Sequence, residues 1–291
     1  MEPASDIAVV VVSYQTADLL PRCLQSILSD SSARKEVFVI DNASTDGSSE
    51  LVSREFPEVH LIANPRNVGF GTANNQAFRK ATAPLLYCLN PDASIGPGTL
   101  GALVEAMKAH PDIGLAGTAI LHPDGQPQPS TDTRYPNQRI ARFDPSGLPG
   151  ELACVLGASM VLRRDLLPAL KGGFDEDFFL YGEDQDLGLR VRQAGYRLGY
   201  FPHITVTHLS AQSERQQPSY QRWRRKLIAE YTFYRKHYSA EGVARIRRHH
   251  LLKSIWSLTS NLPGLCLNLP SARERHAKYR AILDTACRPP V

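Results

Sequence analysis

The chain has 291 residues, 42% hydrophobic and 21% charged. That is enough for a large α/β domain with an appendage and a sizeable core, and it excludes a disordered or fibrous chain. Five cysteines at least 20 residues apart form no CxxC pair, which excludes a zinc cluster or disulfide framework and fits a reducing compartment.

The net charge of +4 hides an asymmetry. Residues 1–213 carry 17 Lys and Arg against 24 Asp and Glu, a balance of −7, whereas residues 214–291 carry 16 against 5, a balance of +11. A basic tail on an acidic body implies an anionic partner, either nucleic acid or a membrane surface. Ile7–Val12 is too short for a signal peptide and follows no basic segment, and 18 consecutive apolar residues occur nowhere, so no spanning helix is expected.

In chain order, Ile7–Ser13 reads as a buried parallel strand, short and mostly β-branched. Ala17–Leu28 has helical spacing, and Glu36–Asp41 is a second strand. Thr45 or Asp46 is placed to cap a helix to about Phe56. Val59–Ala63 is a third strand, Asn67–Lys80 a turn and helix, and Leu85–Leu89 a fourth strand between prolines. A helix over Pro97–His110 and a strand over Ile113–Leu121 follow. Residues 126–150 lack periodicity and read as an excursion over the active-site face. Leu152–Leu162 returns to the core, and Arg163–Leu170 is a short helix. Glu183 opens a helix to about Gly195, and Arg197–Phe201 and Ile204–His208 are short strands. From Pro218 the chain is helical over 219–237, about 240–260, and 271–286. The alternation predicts an α/β fold: a mostly parallel Rossmann-like sheet with helices on both faces, followed by a basic helical region.

Four runs carry chemistry. LNPDAS ends the fourth strand with Asn90 and Asp92 around a proline, at the strand end where open α/β sheets place ligands. Asp92 there suits a hard divalent cation carrying a diphosphate; the alternative is a solvated Asx-Pro turn. Asp41 closes the second strand, where a carboxylate can accept the N–H of a pyrimidine; a simple Asp-Asn turn fits equally. NVGFGTANN fails as a dinucleotide fingerprint, because Asn74 stands where the third glycine belongs and no first strand precedes it. Its glycines could let the backbone approach a nucleotide, with Asn67 and Asn75 nearby, or could mark an ordinary turn. In GGFDEDFFLYGEDQDLGLR, acids at a helix start favour the dipole. Asp184 shares a face with Leu187, Gly188 and Val191, so it is expected to be the desolvated acid and a general base, while Asp186 falls on another face, paired with Arg190. His208, ending ITVTH, suits either a ligand or a structural role.

VVVVSYQ, IDNASTDGS, NVGFGTANN, LNPDAS, GASMVLRRD, GGFDEDFFLYGEDQDL and His208, in this order over about residues 7–213, resemble family 2 inverting glycosyltransferases of the GT-A type, within them the bacterial rhamnosyltransferase-like branch. The resemblance implies that Ser13, Tyr14 and Asp41, with Asn67, Gly69 and Asn90, hold the nucleotide. It implies that Asp92 and His208 ligate Mg²⁺ or Mn²⁺, with Asn in place of the first Asp of the DxD-like motif. Asp184 occupies the base position, with Glu183 and Asp186 in support near the acceptor. It further implies a dTDP-L-rhamnose donor, with UDP-hexoses as runner-up, a glycan or polyprenyl-diphosphate-linked acceptor, and a role in cell-surface polysaccharide synthesis. The expected domains are a catalytic 1–213 and a basic helical 214–291.

In the tail, Arg245, Arg247, Arg248 and Lys253 lie near an apolar stripe of Val243, Ile246, Leu252, Ile255 and Trp256. That is the profile of an interfacial helix on anionic lipid, or of a helix packing its apolar side on the catalytic domain. The expected location is cytoplasmic, peripheral on the inner face of the membrane. An oxidoreductase would need a glycine fingerprint after the first strand, where SYQTAD stands. A non-catalytic nucleotide- or nucleic-acid-binding protein would leave the acidic 172–190 run unexplained.

Overall fold

The computed structural model describes residues 4–209, 218–267 and 269–288. The chain divides into two compact units: Met1–Arg134, Leu148–Phe179 and Glu183–Ser213 form the first, and Tyr135–Gly147, Leu180–Gly182 and Glu214–Val291 the second.

In chain order the elements are β1 (Ile7–Ser13), α1 (Leu20–Ser29), β2 (Lys35–Asp41), α2 (Ser48–Glu55), β3 (His60–Ala63), α3 (Phe70–Phe78), β4 (Leu85–Leu89) and β5 (Ala93–Ile95). There follow α4 (Thr99–Ala109), β6 (Ile113–Leu121), β7 (Pro127–Gln128), β8 (Thr131–Asp132), α5 (Gln138–Ala141), β9 (Cys154–Val155), β10 (Ser159–Arg163), α6 (Glu183–Gln193) and β11 (Arg197–His208). The helices α7 (Ser219–His237), α8 (Ala240–Ser260), α9 (Leu262–Cys266) and α10 (Pro270–Cys287) complete the chain.

The first unit is built on a nine-stranded sheet of order β3-β2-β1-β4-β10-β6-β11-β5, with β7 beside β6. β1 is parallel to β2 and β4, β2 to β3, and β6 to β11; β10 runs antiparallel to both β4 and β6. One reversed strand between two others leaves those two pointing the same way, so β1, β2, β4, β6 and β11 all end at one edge. β1 is buried throughout because both sheet faces are covered. Ile7, Val9 and Val11 pack with Leu20, Leu24 and Leu103 on one side, and Ala8, Val10 and Val12 with Phe78, Leu187 and Val191 on the other.

Several elements depart from the sequence reading. α1 starts at Leu20, not Ala17, and the Ala17 N–H bonds Asp46 Oδ2 at 2.9 Å. Asp46 is therefore spent on this tie and on the Ser48 N–H at 3.1 Å, and Gly47 holds the N-cap position of α2. Ala93–Ile95 adds an unanticipated strand against β11. The helix expected over Arg163–Leu170 is one 3₁₀ turn, Arg164–Leu166. The two strands expected over 197–208 are one, its register with β6 broken between Phe201 and Thr205. Residues 126–150 are not a structureless excursion: β7 pairs with β6, β8 pairs with β9, and 135–147 belong to the second unit.

In that second unit α7, α8 and α10 pack on one another around Tyr231, Phe233, Tyr234 and Ile246. Tyr135 stacks on Phe233 with ring centroids 5.9 Å apart, and Asn137 Nδ2 donates to the Tyr234 hydroxyl at 2.6 Å. Arg245 donates to the carbonyls of Ile140 and Ala141, and Arg247 to those of Ala286 and Cys287. These two arginines and buried Ile246 therefore hold the unit together, while Leu252, Ile255 and Trp256 of the expected stripe, with Arg248 and Lys253, stand exposed. Among the described residues no helix is long and apolar enough to cross a membrane.

Candidate active site

The common strand edge gathers the residues singled out from sequence. Ser13 and Asp41, adjacent in the parallel register, end β1 and β2. Both are buried, while Tyr14, the next residue, stands exposed. Ser13 Oγ bonds Thr16 Oγ1 at 2.8 Å. Asp41 Oδ2 accepts the Ser44 N–H at 3.0 Å, but its Oδ1 is buried without a partner. A buried, unpaired carboxylate oxygen at a strand end calls for an N–H donor from outside the chain. Gln15, which the sequence reading passed over, fastens this corner: its N–H reaches Ser44 Oγ at 2.9 Å and its side-chain amide reaches Thr45 Oγ1 at 3.0 Å.

Asn67 and Gly69 serve the fold in the positions where nucleotide contacts were expected. Asn67 Oδ1 accepts the Gly69 N–H at 3.0 Å. Gly69 has φ +89°, and a Cβ there would sit 2.5 Å from the Phe179 carbonyl oxygen. The close approach the glycine permits is thus to the chain's own 172–179 loop. Asn75, also considered for a ligand, accepts the Phe174 N–H at 2.9 Å and donates to the Phe174 carbonyl at 2.8 Å. Its side chain clamps that loop.

Asp92 follows β4 and His208 ends β11. His208 Nε2 lies 3.0 Å from Asp92 Oδ1, and the Leu209 N–H bonds the Asp92 carbonyl at 3.0 Å. Asn90 Nδ2 approaches Nε2 at 3.4 Å. Gln128 on β7 orients the ring. Its Nε2 donates to the His208 carbonyl at 2.7 Å, which turns Oε1 toward Nδ1 at 3.2 Å. Nδ1 then donates to Gln128 Oε1, and Nε2 faces a carboxylate oxygen. Two electron-pair donors that close need a proton or a cation between them, so the pair fits a divalent ion. Among the described residues no third His, Cys, Asp or Glu joins them, which suits an ion that takes its remaining oxygens from phosphates and water. Gln128 was missed because it sits in a segment without periodicity.

The acids of α6 are arranged differently from expectation. Asp186, expected on a less buried face, is fully buried and paired with Arg190 Nε at 2.7 Å; Arg190 also donates to the Leu170 carbonyl. It braces the helix, and a contact with an acceptor does not fit. Glu183 is buried with Oε2 unpartnered, and burial together with the neighbouring Asp184 pushes its pKa up to about 8. Asp184 keeps partial exposure, so it is not the most desolvated of the three. Burial of its carboxyl still raises its pKa, opposed by the Gln185 N–H, which bonds Asp184 Oδ1 at 2.8 Å, and by the Gly157 N–H and Cys154 thiol nearby. A raised carboxylate with access to solvent is what a general base requires.

One connection joins the two carboxylates. The Gly157 N–H is among the groups that hold the Asp184 pKa down, while the carbonyl of the next residue, Ala158, accepts the Asn90 N–H at 3.1 Å. Asp184 and the Asn90-Pro91-Asp92 turn therefore neighbour one short backbone segment at the head of β10.

This architecture is shared with solved glycosyltransferases. The mannosyltransferase PcManGT from Pyrobaculum calidifontis, in complex with GDP-Man and Mn²⁺, matches with a TM-score of 0.61 at 20% identity, over 98% of this chain and 86% of that one. S. aureus TarS 1–349 in complex with UDP matches with a TM-score of 0.54 at 15% identity, over 98% and 92%. The fold is that of a GT-A glycosyltransferase. Residues 8–170 match Glycosyl transferase family 2, and the chain belongs to that family. It is 31% identical over 246 residues to the N-acetylglucosaminyl-diphospho-decaprenol L-rhamnosyltransferase of Mycobacterium tuberculosis (strain ATCC 25618 / H37Rv), covering 72% of this chain and 78% of the relative. It is thus a glycosyltransferase enzyme, rhamnosyltransferase-like in sequence. The acidic run and His208 lie beyond the stretch matched to the family.

Proposed function

We propose that the chain is a metal-dependent inverting glycosyltransferase that moves L-rhamnose from dTDP-L-rhamnose to a hydroxyl of a lipid-linked glycan in cell-surface polysaccharide synthesis. The observation that supports this reading is that the short backbone segment Gly157-Ala158 neighbours both Asp184 and the Asn90-Pro91-Asp92 turn, whose Asp92 lies 3.0 Å from His208. The identity to a decaprenol-linked rhamnosyltransferase supports the donor sugar and the polyprenyl acceptor.

In this reading Asp41 Oδ1 receives the ring N–H of the pyrimidine, with Ser13 and Tyr14 beside the base and ribose. Asp92 and His208 hold Mg²⁺ or Mn²⁺, which supplies charge neutralisation for the departing diphosphate. Gln128 orients the His208 ring so that Nε2 is directed at the ion beside Asp92. Asp184 takes the proton of the acceptor hydroxyl, and that oxygen attacks the anomeric carbon from the face opposite the leaving group, inverting the centre. A well-placed base contributes about 10²–10⁴-fold. Residues 1–213 supply the catalytic machinery and 214–291 the basic helical region, and a lipid-linked acceptor brings a bilayer surface within reach of the chain.

Thermal-shift measurements with nucleoside diphosphates test the reading. Stabilisation by dTDP that grows with Mn²⁺, absent with NAD, is expected; a larger response to UDP would reassign the donor. Asp184→Asn is expected to lose turnover by about 10²–10⁴-fold while keeping the dTDP shift. Near-normal turnover in that variant would remove Asp184 from the base role.

A further inference from the structure

The second half of α8 is built inside out. Its buried positions are Ser254 and Ser257, at 0% and 1% exposure, whereas Leu252, Ile255 and Trp256 stand 64%, 53% and 66% exposed. An ordinary surface helix turns its large apolar residues inward. The pattern continues past the helix end, with Leu262, Leu267 and Leu269 exposed. Six of the nine large apolar side chains exposed among the described residues thus fall within 252–269.

The presentation of these side chains is fixed. Asn261 Nδ2 donates to the Ala272 carbonyl at 2.7 Å, and the Leu269 N–H bonds the Gly264 carbonyl at 3.1 Å, so α9 folds back onto α10 as a closed tip. A Cβ on Gly264 would meet Ala272 Cβ at 2.9 Å, a measure of how tightly that turn is drawn in. The apolar residues crown this tip.

The charged residues of this stretch carry one sign, and the next acid, Glu274 on α10, is bound by Arg222 and Trp223. From Gly242 to Arg273 the chain contains no Asp or Glu. Arg248 and Lys253 are exposed on the same stretch of α8 as Leu252 and Trp256, Arg248 one turn before Leu252 and Lys253 nearly one turn before Trp256. The Arg275 guanidinium lies 6.0 Å from the Trp256 ring. Large exposed aliphatics, an indole and cations without a carboxylate are the chemistry that inserts among acyl chains while pairing with lipid phosphates. A protein partner matched to six apolar side chains would gain nothing from excluding every acid over this length.

We infer that the α8–α9–α10 tip docks the chain on an anionic bilayer surface, with Leu252, Ile255, Trp256, Leu262, Leu267 and Leu269 entering the interface and Arg248 and Lys253 at the headgroups. The docking shares with the transferase reading only the bilayer as workplace. It is tested without turnover, so its failure and the failure of that reading are distinguishable.

The test is co-sedimentation of the full chain with vesicles of phosphatidylglycerol and phosphatidylethanolamine, against vesicles of phosphatidylcholine alone. The wild-type chain is expected to pellet with the anionic vesicles, less so as salt rises, with a blue shift of tryptophan emission that Trp256→Phe removes. Leu252→Ser, Ile255→Ser and Trp256→Ser combined are expected to lower partitioning about tenfold or more. Arg248→Glu with Lys253→Glu leaves the apolar residues in place and is expected to weaken binding and flatten its salt dependence, which keeps the test valid if the triple variant misfolds. Failure of the wild type to pellet, or equal pelleting of the variants, would overturn the inference. A dimer in sedimentation equilibrium that the triple variant dissociates would overturn it as well, by assigning the tip to a second copy.

Discussion

His208 Nε2 and Asp92 Oδ1 stand 3.0 Å apart, brought together by a short strand after β4 that pairs with the end of β11. The backbone reinforces the contact, since the Leu209 N–H bonds the Asp92 carbonyl. Asp92→Asn and His208→Gln should each abolish the Mn²⁺-dependent part of dTDP stabilisation while leaving a metal-independent part that Asp41 supports. Gln128→Leu should weaken Mn²⁺ affinity by about 10–100-fold through loss of ring orientation. Titration calorimetry of Mn²⁺ in the presence of dTDP reads both effects.

Glu183 should make stability depend on pH with a definite sign. Its pKa rises from 4.5 to about 8 on folding, so between those values the folded chain keeps a proton that the unfolded chain releases. The contribution is fully present below 4.5 and is lost as pH climbs through about 8. Glu183→Gln removes the titration. Its Tm relative to wild type should therefore increase steadily across that window. His250, depressed to about 4 by burial, acts in the opposite sense, contributing above 6.5 and losing that contribution as pH falls; it cancels in the comparison.

Asn75→Ala should destabilise through two backbone groups at once. The Phe174 N–H and carbonyl both lose their partner, at about 1–3 kcal/mol for each buried group left unpaired. Asn75→Asp keeps the acceptor and loses the donor, so it should fall between Ala and wild type. Thermal unfolding followed by circular dichroism ranks the three.

Gly69 and Gly47 share a positive φ, +89° and +86°, but ψ is 167° at Gly69 and 7° at Gly47, so only Gly47 lies in the left-handed region that other residues sometimes adopt. A methyl group at Gly47 meets open space, whereas at Gly69 it meets the Phe179 carbonyl oxygen at 2.5 Å. Gly47→Ala should cost about 1 kcal/mol for backbone strain, and Gly69→Ala roughly 1–3 kcal/mol more for the clash and the harsher backbone conformation together. Equal melting temperatures would show that the 172–179 loop yields freely.

The strand and helix order of the first unit was legible because each element is a clean run: β1, β4 and β6 have the bounds their apolar stretches define. β5 was not, since Ala93–Ile95 is too short for periodicity and exists only through its pairing with β11. Asp41, Asp92 and His208 were legible as polar residues closing apolar strands. Their fasteners Gln15 and Gln128 were not, because a glutamine in a loop has no local signature and acquires its role from residues distant in sequence. Asp184 was identified through helical phase, yet phase alone misjudged burial. Asp186 is wholly enclosed because its partner Arg190 is itself tied to the Leu170 carbonyl, a contact outside the helix. The tail's helices were legible from spacing, but which arginines face outward depended on carbonyls of 140–141 and 286–287 that only the fold brings near.

The irregularity in β11 has a consequence for how this enzyme can vary. Phe201 faces Thr118 and Thr205 faces the adjacent Ala119, so residues 202–204 are slack taken up by a register shift within one continuous strand, and their number sets where His208 arrives. Because neighbouring positions on a strand point to opposite sides, shortening that slack by one residue would swing the imidazole away from Asp92. Exchanging the exposed Pro202 or His203 side chain would leave the arrival point untouched, whereas Ile204 is packed in the core. Insertions and deletions at 202–204 should therefore be far more damaging than substitutions at Pro202 or His203, making segment length itself the quantity this part of the chain encodes.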